Sequence, residues 1–199
     1  MNLIIREMKR EDIDNVAKLY YQGFWDKLKA LEDLPYENAK GLIKDFLLFN
    51  EDNFKLYKVA KVDENVIGMI KLLSKEDKEI YGNINEKDKK EIGYIKLVKA
   101  GIVLKIFEHS VKKDNLYIDT VVVDDSYRGS GIGGKLLLEA FKETERKGKK
   151  KTSLVVIKRN ENAKKLYENM GFEVTKVGRS KMLRKLSNID GYYFMERKL

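Results

Sequence analysis

Leu116 to Leu138, LYIDTVVVDDSYRGSGIGGKLLL, constrains the fold more than any other stretch of the chain. Ile118, Val121, Val122 and Val123 form a β-branched run, the composition of a strand covered on both faces. Asp124, Asp125 and Ser126 interrupt it, and Arg128-Gly129-Ser130-Gly131-Ile132-Gly133-Gly134 follows. Leu136, Leu137, Ala140 and Phe141 then recur at helical spacing. The pattern predicts a buried strand that passes through a glycine-rich turn into an amphipathic helix. The first N–H groups of such a helix have no intrahelical acceptor, and its dipole adds positive potential, so the turn favours phosphate. Glycines at 129, 131 and 133 would leave no side chain in the way of a ligand.

Two familiar phosphate motifs fail at this turn. Gly129-x-Gly131-x-x-Gly134 spells the dinucleotide fingerprint, but Asp124 to Arg128 hold its first glycine away from the strand. The next strand candidate, Thr152 to Ile157, ends in Lys158-Arg159-Asn160, with no carboxylate placed for a ribose. A P-loop is excluded because G-K-[ST] does not occur.

R-x-x-G-x-G is met instead, by Arg128, Gly131 and Gly133 after Val123. One strand further on, N-x-x-A-x-x-x-Y-x-x-x-G-F is met by Asn160, Ala163, Tyr167, Gly171 and Phe172. On these residues the chain resembles the GNAT superfamily of acetyl-CoA-dependent N-acetyltransferases. The resemblance implies an α/β (α+β) fold: a mixed, mostly antiparallel central sheet with a splayed parallel strand pair, flanked by helices. It implies acetyl-CoA as co-substrate, held by the backbone of Gly129, Ser130, Gly131, Ile132, Gly133 and Gly134 with Arg128 as a charge partner. The pantetheine arm would pair with the strand edge at Val121, Val122 and Val123, as a peptide adds to an open sheet. Asn160, Ala163 and Tyr167 complete the expected cofactor contacts.

Composition narrows the alternatives. A chain of 199 residues with 43% hydrophobic content suits one domain, taken as 1–199, with a sizeable core. Neither a signal-peptide pattern at Met1 to Arg6 nor an 18-residue apolar run is present, so a cytoplasmic protein without a membrane span is expected. No cysteine and a single histidine supply poor material for a metal site, and none is expected. The net charge of +9 arises from 41 basic and 32 acidic residues interleaved along the chain. That mixture reads as a lysine-rich solvated surface rather than a nucleic-acid interface, with some excess left for an anionic cofactor.

Elsewhere, Leu3 to Arg6 reads as a first strand, and Ile13, Val16, Ala17, Leu19 and Tyr20 as the stripe of a helix capped near Asp12. A second helix is expected over roughly 37–49, and a hairpin of 54–60 with 66–73. In the resembled family the junction between these two helices forms one wall of the acceptor site, so Phe24 and Trp25 are either that wall or core. An insertion spans about 74–115, with a helix over 92–107; it is expected to shape the acceptor site or an oligomer contact, and a disordered surface loop is the alternative for 75–91. Strands follow at 152–157, 172–177 and 192–197, with a short helix at 162–169 and an irregular basic stretch around Lys181, Arg184 and Lys185.

Acetyl transfer to an amine needs a held cofactor, a neutral amine and a stabilised thiolate. Deprotonating an alkylamine of pKa about 10.4 at pH 7 costs roughly 4–5 kcal/mol. Asp119 is the candidate base, expected to be a buried, unpaired carboxylate on the side of Val121 and Val123 by period-two alternation. Its alternative is a structural Asp bonded to backbone. Tyr167 is the candidate hydrogen-bond donor to the leaving sulfur, or else one member of the Ala163, Leu166, Tyr167, Met170 packing stripe. Asn160 suits a helix cap, a cofactor contact or both, and His109 reads as a surface residue of the insertion. A non-catalytic acyl-CoA-binding module and a nucleic-acid binder are the rival functions. No motif identifies the amine acceptor, and both monomer and homodimer fit the composition.

Overall fold

A computed structural model describes residues 2–24, 34–48, 50–107, 111–179, 181–187 and 189–199. Seven strands form one sheet: β1 (Leu3–Glu7), β2 (Tyr57–Val62), β3 (Asn65–Leu73), β4 (Asn115–Val123), β5 (Lys151–Ile157), β6 (Glu173–Gly178) and β7 (Tyr192–Lys198). Their spatial order is β1-β2-β3-β4-β5-β7-β6. Every neighbouring pair is antiparallel except β4 with β5.

That parallel ladder is short. It joins Asn115–Ile118 to Lys151–Leu154 and then stops, although β4 continues to Val123 and β5 to Ile157. Beyond Ile118 the outer edges stay occupied, β4 by β3 as far as Val123 opposite Gly68, and β5 by β7 as far as Ile157 opposite Tyr192. The two strands therefore diverge with their facing edges open, which is the splayed pair the motifs implied.

A register shift marks the point of divergence. Leu72 faces Ile118 and Lys71 faces Thr120, so Asp119 is an extra residue on β4, a β-bulge. Leu116 and Ile118 before it, and Val121 and Val123 after it, pack on one face of the sheet, against α5 (Ile132–Arg146). Val122 faces the other way, onto α1 (Ile13–Phe24).

Each face has its own core. On one, Ile132, Leu136, Leu137, Ala140 and Phe141 of α5 are buried on β3, β4 and β5 with Leu154, Val156 and Met195. At roughly 2 kcal/mol per buried aliphatic side chain, this stripe is the main stabilisation of the helix that follows the glycine-rich turn. On the other face, Val16, Ala17, Leu19 and Tyr20 of α1 join Ala39 and Leu42 of α2 (Tyr36–Leu42) and Val59, Met69 and Val122 of the sheet. The helix α2 continues through a widened turn, Ile43–Leu47. Asp12 is not the N-cap itself. Its buried carboxylate accepts the Lys9 N–H at 2.8 Å and both guanidinium nitrogens of Arg6, tying β1 to the start of α1.

Three expected elements differ. Residues 51–56 form a 3₁₀ turn, opened by the Asn50 side chain accepting from the Asp52 N–H at 2.8 Å, so the hairpin strand begins only at Tyr57. The helix of the insertion is two helices, α3 (Glu86–Ile92) and α4 (Tyr94–Phe107), divided at Gly93 with φ 86°. The basic stretch is a helix, α7 (Lys181–Ser187), whose Leu183 is buried with Ile189 against Ile157 and Tyr192. The segment from Ser74 to Asn85 is not loose. Asn53 clamps both backbone groups of Ile80 at 2.7 and 3.1 Å, the Gly82 N–H reaches the Phe46 carbonyl at 2.9 Å, and Tyr81 stacks on Phe46. The Phe24 side chain, Trp25, Phe49 and His109 lie outside the described residues. Among the described residues no helix is long and apolar enough to cross a membrane.

Candidate active site

The end of β4 is fixed before the glycines begin. The Asp124 N–H donates to the Ile67 carbonyl at 2.9 Å, and the Asp124 carboxylate accepts the Ser126 N–H at 2.9 Å, starting a 3₁₀ turn at Asp125–Tyr127. Gly131, with φ 83° and ψ 0°, is the N-cap of α5, a left-handed conformation that a β-carbon would penalise. Among the described residues, the N–H groups of Gly129, Gly131, Ile132, Gly133 and Gly134 meet no acceptor of the chain. They form a row of unpaired donors at the positive end of a 15-residue helix, beside the opening of the β4–β5 slot.

Ser130 departs from this row, because its N–H donates to the Tyr127 carbonyl at 3.3 Å and its hydroxyl turns to the same oxygen. Gly133 departs as well. A β-carbon there would sit 3.1 Å from Leu166, so this glycine serves the approach of α5 to α6 (Glu161–Asn169) rather than clearance for a ligand. Arg128 is mostly exposed and pairs with Asp125 at 2.5 Å, which holds its guanidinium on the rim of the turn.

The second motif builds α6 beside the slot. Asn160 is its N-cap, accepting the Ala163 N–H at 3.2 Å, and Gly171, φ 85°, ends it. Ala163 packs on the core beneath α5. Tyr167 is buried in the same core, edge-on to Phe172 with ring centroids 5.9 Å apart. No hydrogen bond to another described residue engages its hydroxyl, and burial pushes its pKa up to about 12.

Asp119 is not where alternation puts it. The bulge turns it away from Val121 and Val123, onto the α1 side of the sheet. Nor is it unpaired. Its Oδ2 accepts from the Thr120 hydroxyl at 3.0 Å and lies 3.5 Å from the Lys71 ammonium, while about a third of the side chain stays exposed. Lys71 itself is buried, between Asp119 and a short contact to Glu79 of the insertion. Its ammonium is 5.6 Å from the centre of the Tyr57 ring, and the Tyr57 hydroxyl meets that of Tyr20 at 3.0 Å. Burial alone would lower the Lys71 pKa, but Asp119, Tyr20, Tyr57 and Glu79 outweigh it and hold the ammonium well above its ordinary value.

Lys71 and Glu79 are not among the candidates from sequence. The usable signal is a single charge inside the apolar run Val66 to Leu73, where an unpaired cation would be costly. Glu79 carries no comparable signal, because it sits in a polar segment whose path only the fold reveals.

The model of the Acetyltransferase (GNAT) family matches residues 21–172, from within α1 to the end of the second motif. Among solved structures, an N-acetyltransferase from Staphylococcus aureus Mu50 is 25% identical with a TM-score of 0.67, covering 97% of this chain and 99% of that one. A second acetyltransferase is 24% identical with a TM-score of 0.65, covering 98% of each chain. The PaiA N-acetyltransferase from Thermoplasma acidophilum, solved in complex with coenzyme A, is 18% identical with a TM-score of 0.60 over the whole of both chains. An open strand pair beside a helix start rich in free amides is thus found on a chain whose sequence matches one family over about three-quarters of its length. The chain belongs to the GNAT acetyltransferase family, whose members are acyltransferases.

Proposed function

We propose that this protein transfers the acetyl group of acetyl-CoA directly to a primary amine. The observation that carries the reading is the pairing of two features: five free amides around the start of α5, and a parallel ladder that opens after Ile118. A coenzyme A complex of the Thermoplasma PaiA protein, similar in fold, supports the same carrier for this chain.

Acetyl-CoA would supply an activated acyl group and a thiol leaving group. Gly129, Gly131, Ile132, Gly133 and Gly134 would donate N–H groups to its diphosphate, with the helix dipole favouring the negative charge. Ser130, with both donors directed at Tyr127, would take no part through them. The open edge at Val121, Val122 and Val123 would hydrogen-bond the amide-bearing arm as an added strand does. Asn160 and Ala163 contribute by fixing the start of α6, and through it Tyr167.

Asp119 lies at the apex of the slot, and among the described residues its Oδ1 has no hydrogen-bond donor. It would accept a proton or hydrogen bond from the incoming amine. The nitrogen lone pair then forms the bond to the acyl carbon as the C–S bond breaks toward sulfur, and the proton that the acylated nitrogen sheds passes through solvent to the departed thiolate. Tyr167 would donate a hydrogen bond to that developing charge. Complete proton transfer from a phenol of pKa about 12 to a thiolate near 8.5 is uphill by about 5 kcal/mol, so stabilisation without transfer is the favoured role.

Calorimetric titration with acetyl-CoA, followed by thiol release in the presence of a primary-amine panel, tests the reading. Binding with amine-dependent thiol release is the expected result. No binding at millimolar acetyl-CoA would remove the proposal.

A further inference from the structure

Lys71 is 4% exposed, and the transfer chemistry makes no use of it. Buried ammonium groups are costly, so the arrangement around this one is informative. Glu79 reaches it from the insertion, Asp119 from the bulge of β4, Tyr57 from β2 and Tyr20 from α1, with Tyr81 and Tyr117 within electrostatic range. Two carboxylates and one ammonium leave one net negative charge at the apex of the slot. Glu79 is held in place by its neighbour Ile80, both of whose backbone groups are clamped by the buried Asn53.

Resting on the acetyltransferase reading, we propose that Lys71 and Glu79 are positioning residues that act through Asp119 to set the protonation of the acceptor amine. Asp119 alone would draw an ammonium in and then hold it protonated, since a neighbouring carboxylate favours the charged form. The fixed Lys71 cation, on the other oxygen of the same carboxylate, opposes that hold: it repels the ammonium and favours loss of its proton to water, with Asp119 kept as the anion that orients the amine by a hydrogen bond. Glu79 limits the effect by neutralising part of the Lys71 charge. The insertion is therefore part of the acceptor site through one side chain, and the acceptor it suits is a cationic alkylamine rather than a weakly basic arylamine.

The test is the pH dependence of kcat with the best acceptor from a panel of primary alkylamines, amino-acid amides and lysyl peptides. In the wild type, kcat rises with pH as the bound amine loses its proton. Lys71→Met removes the opposing cation and should move that limb up by about one pH unit, a loss of about tenfold at pH 7 regained at higher pH. Glu79→Gln should move the limb in the opposite direction, and Lys71→Arg should leave it in place. Opposite shifts from two neighbouring substitutions are not the signature of a merely structural pair. Should Lys71→Met fail to fold, Glu79→Gln and Lys71→Arg still carry the test by the sign of their difference. A limb that stays put in Glu79→Gln, with acetyl-CoA binding intact, overturns the inference alone. Wild-type protein that binds acetyl-CoA but acetylates none of the amines overturns the function on which it rests.

Discussion

Replacing Tyr167 by Phe removes one oxygen from a site where the consequences separate cleanly. The hydroxyl meets no partner among the described residues, so the substitution breaks no hydrogen bond between them. The ring stays packed on Phe172, so stability should change by no more than about 0.5 kcal/mol. A hydrogen bond to a developing thiolate contributes about 1.5–3 kcal/mol, which translates into a fall in kcat of about 10- to 150-fold. Acetyl-CoA affinity should be nearly unchanged, since the bond strengthens only as charge collects on sulfur. With the phenol pushed up to about 12, no alkaline limb belonging to Tyr167 should appear below about pH 10. Steady-state kinetics beside calorimetry and a thermal melt measure all three quantities. An unchanged kcat would return Tyr167 to the core, and a loss of affinity as large as the loss of rate would make it a binding residue. An alkaline limb present in the wild type and missing from Tyr167→Phe would show full proton donation and refute a role limited to hydrogen bonding.

Three further outcomes are expected. Gly131→Ala forces a β-carbon into a left-handed N-cap, at a cost of roughly 1–2 kcal/mol, and should weaken acetyl-CoA binding about tenfold by calorimetry with a modest fall in Tm. Asp119→Asn should lower kcat by about 100-fold with acetyl-CoA affinity intact, measured by thiol release; full activity would place the base elsewhere. Asp77 governs part of the acid stability: burial pushes its pKa up, but the Ser74 hydroxyl and N–H and the Lys147 ammonium more than reverse this, leaving it below the usual carboxylate value. A depressed folded-state pKa contributes stability above the unfolded value, near pH 4, that is lost as pH falls through the folded one. Asp77→Asn should therefore flatten the acid limb of a Tm-versus-pH curve below about pH 4 while lowering Tm at pH 7.

Much of the proposed carrier side is legible in the sequence because it is local. The run ending at Val123, the glycines and the stripe of α5 are contiguous, so turn chemistry and helical period both apply to them. Asn160 and Gly171 are readable as helix punctuation for the same reason. The proposed acceptor side is not, because the residues around Lys71 and Asp119 come from β3, β4, α1 and the insertion, over sequence separations that periodicity does not span. Residue type singles out Asp119, but alternation assigns it to the wrong face. Strict alternation counts every residue, and a bulge is one residue that a ladder leaves out. The boundary between α3 and α4 escapes the pattern because Gly93 sits inside an apolar run that continues past it.

The offset at residue 119 reaches beyond the carboxylate it carries. Ile118 and Thr120 already occupy opposite sides of the sheet, so the strand would alternate correctly if that single position were excised. It is a supernumerary link in an otherwise regular chain of pairings, and the parting from β5 begins at the same height. Shortening the strand by one amino acid would thus leave Val121, Val122 and Val123 on their present sides while removing both the acid and the extra local twist that a bulge gives its strand.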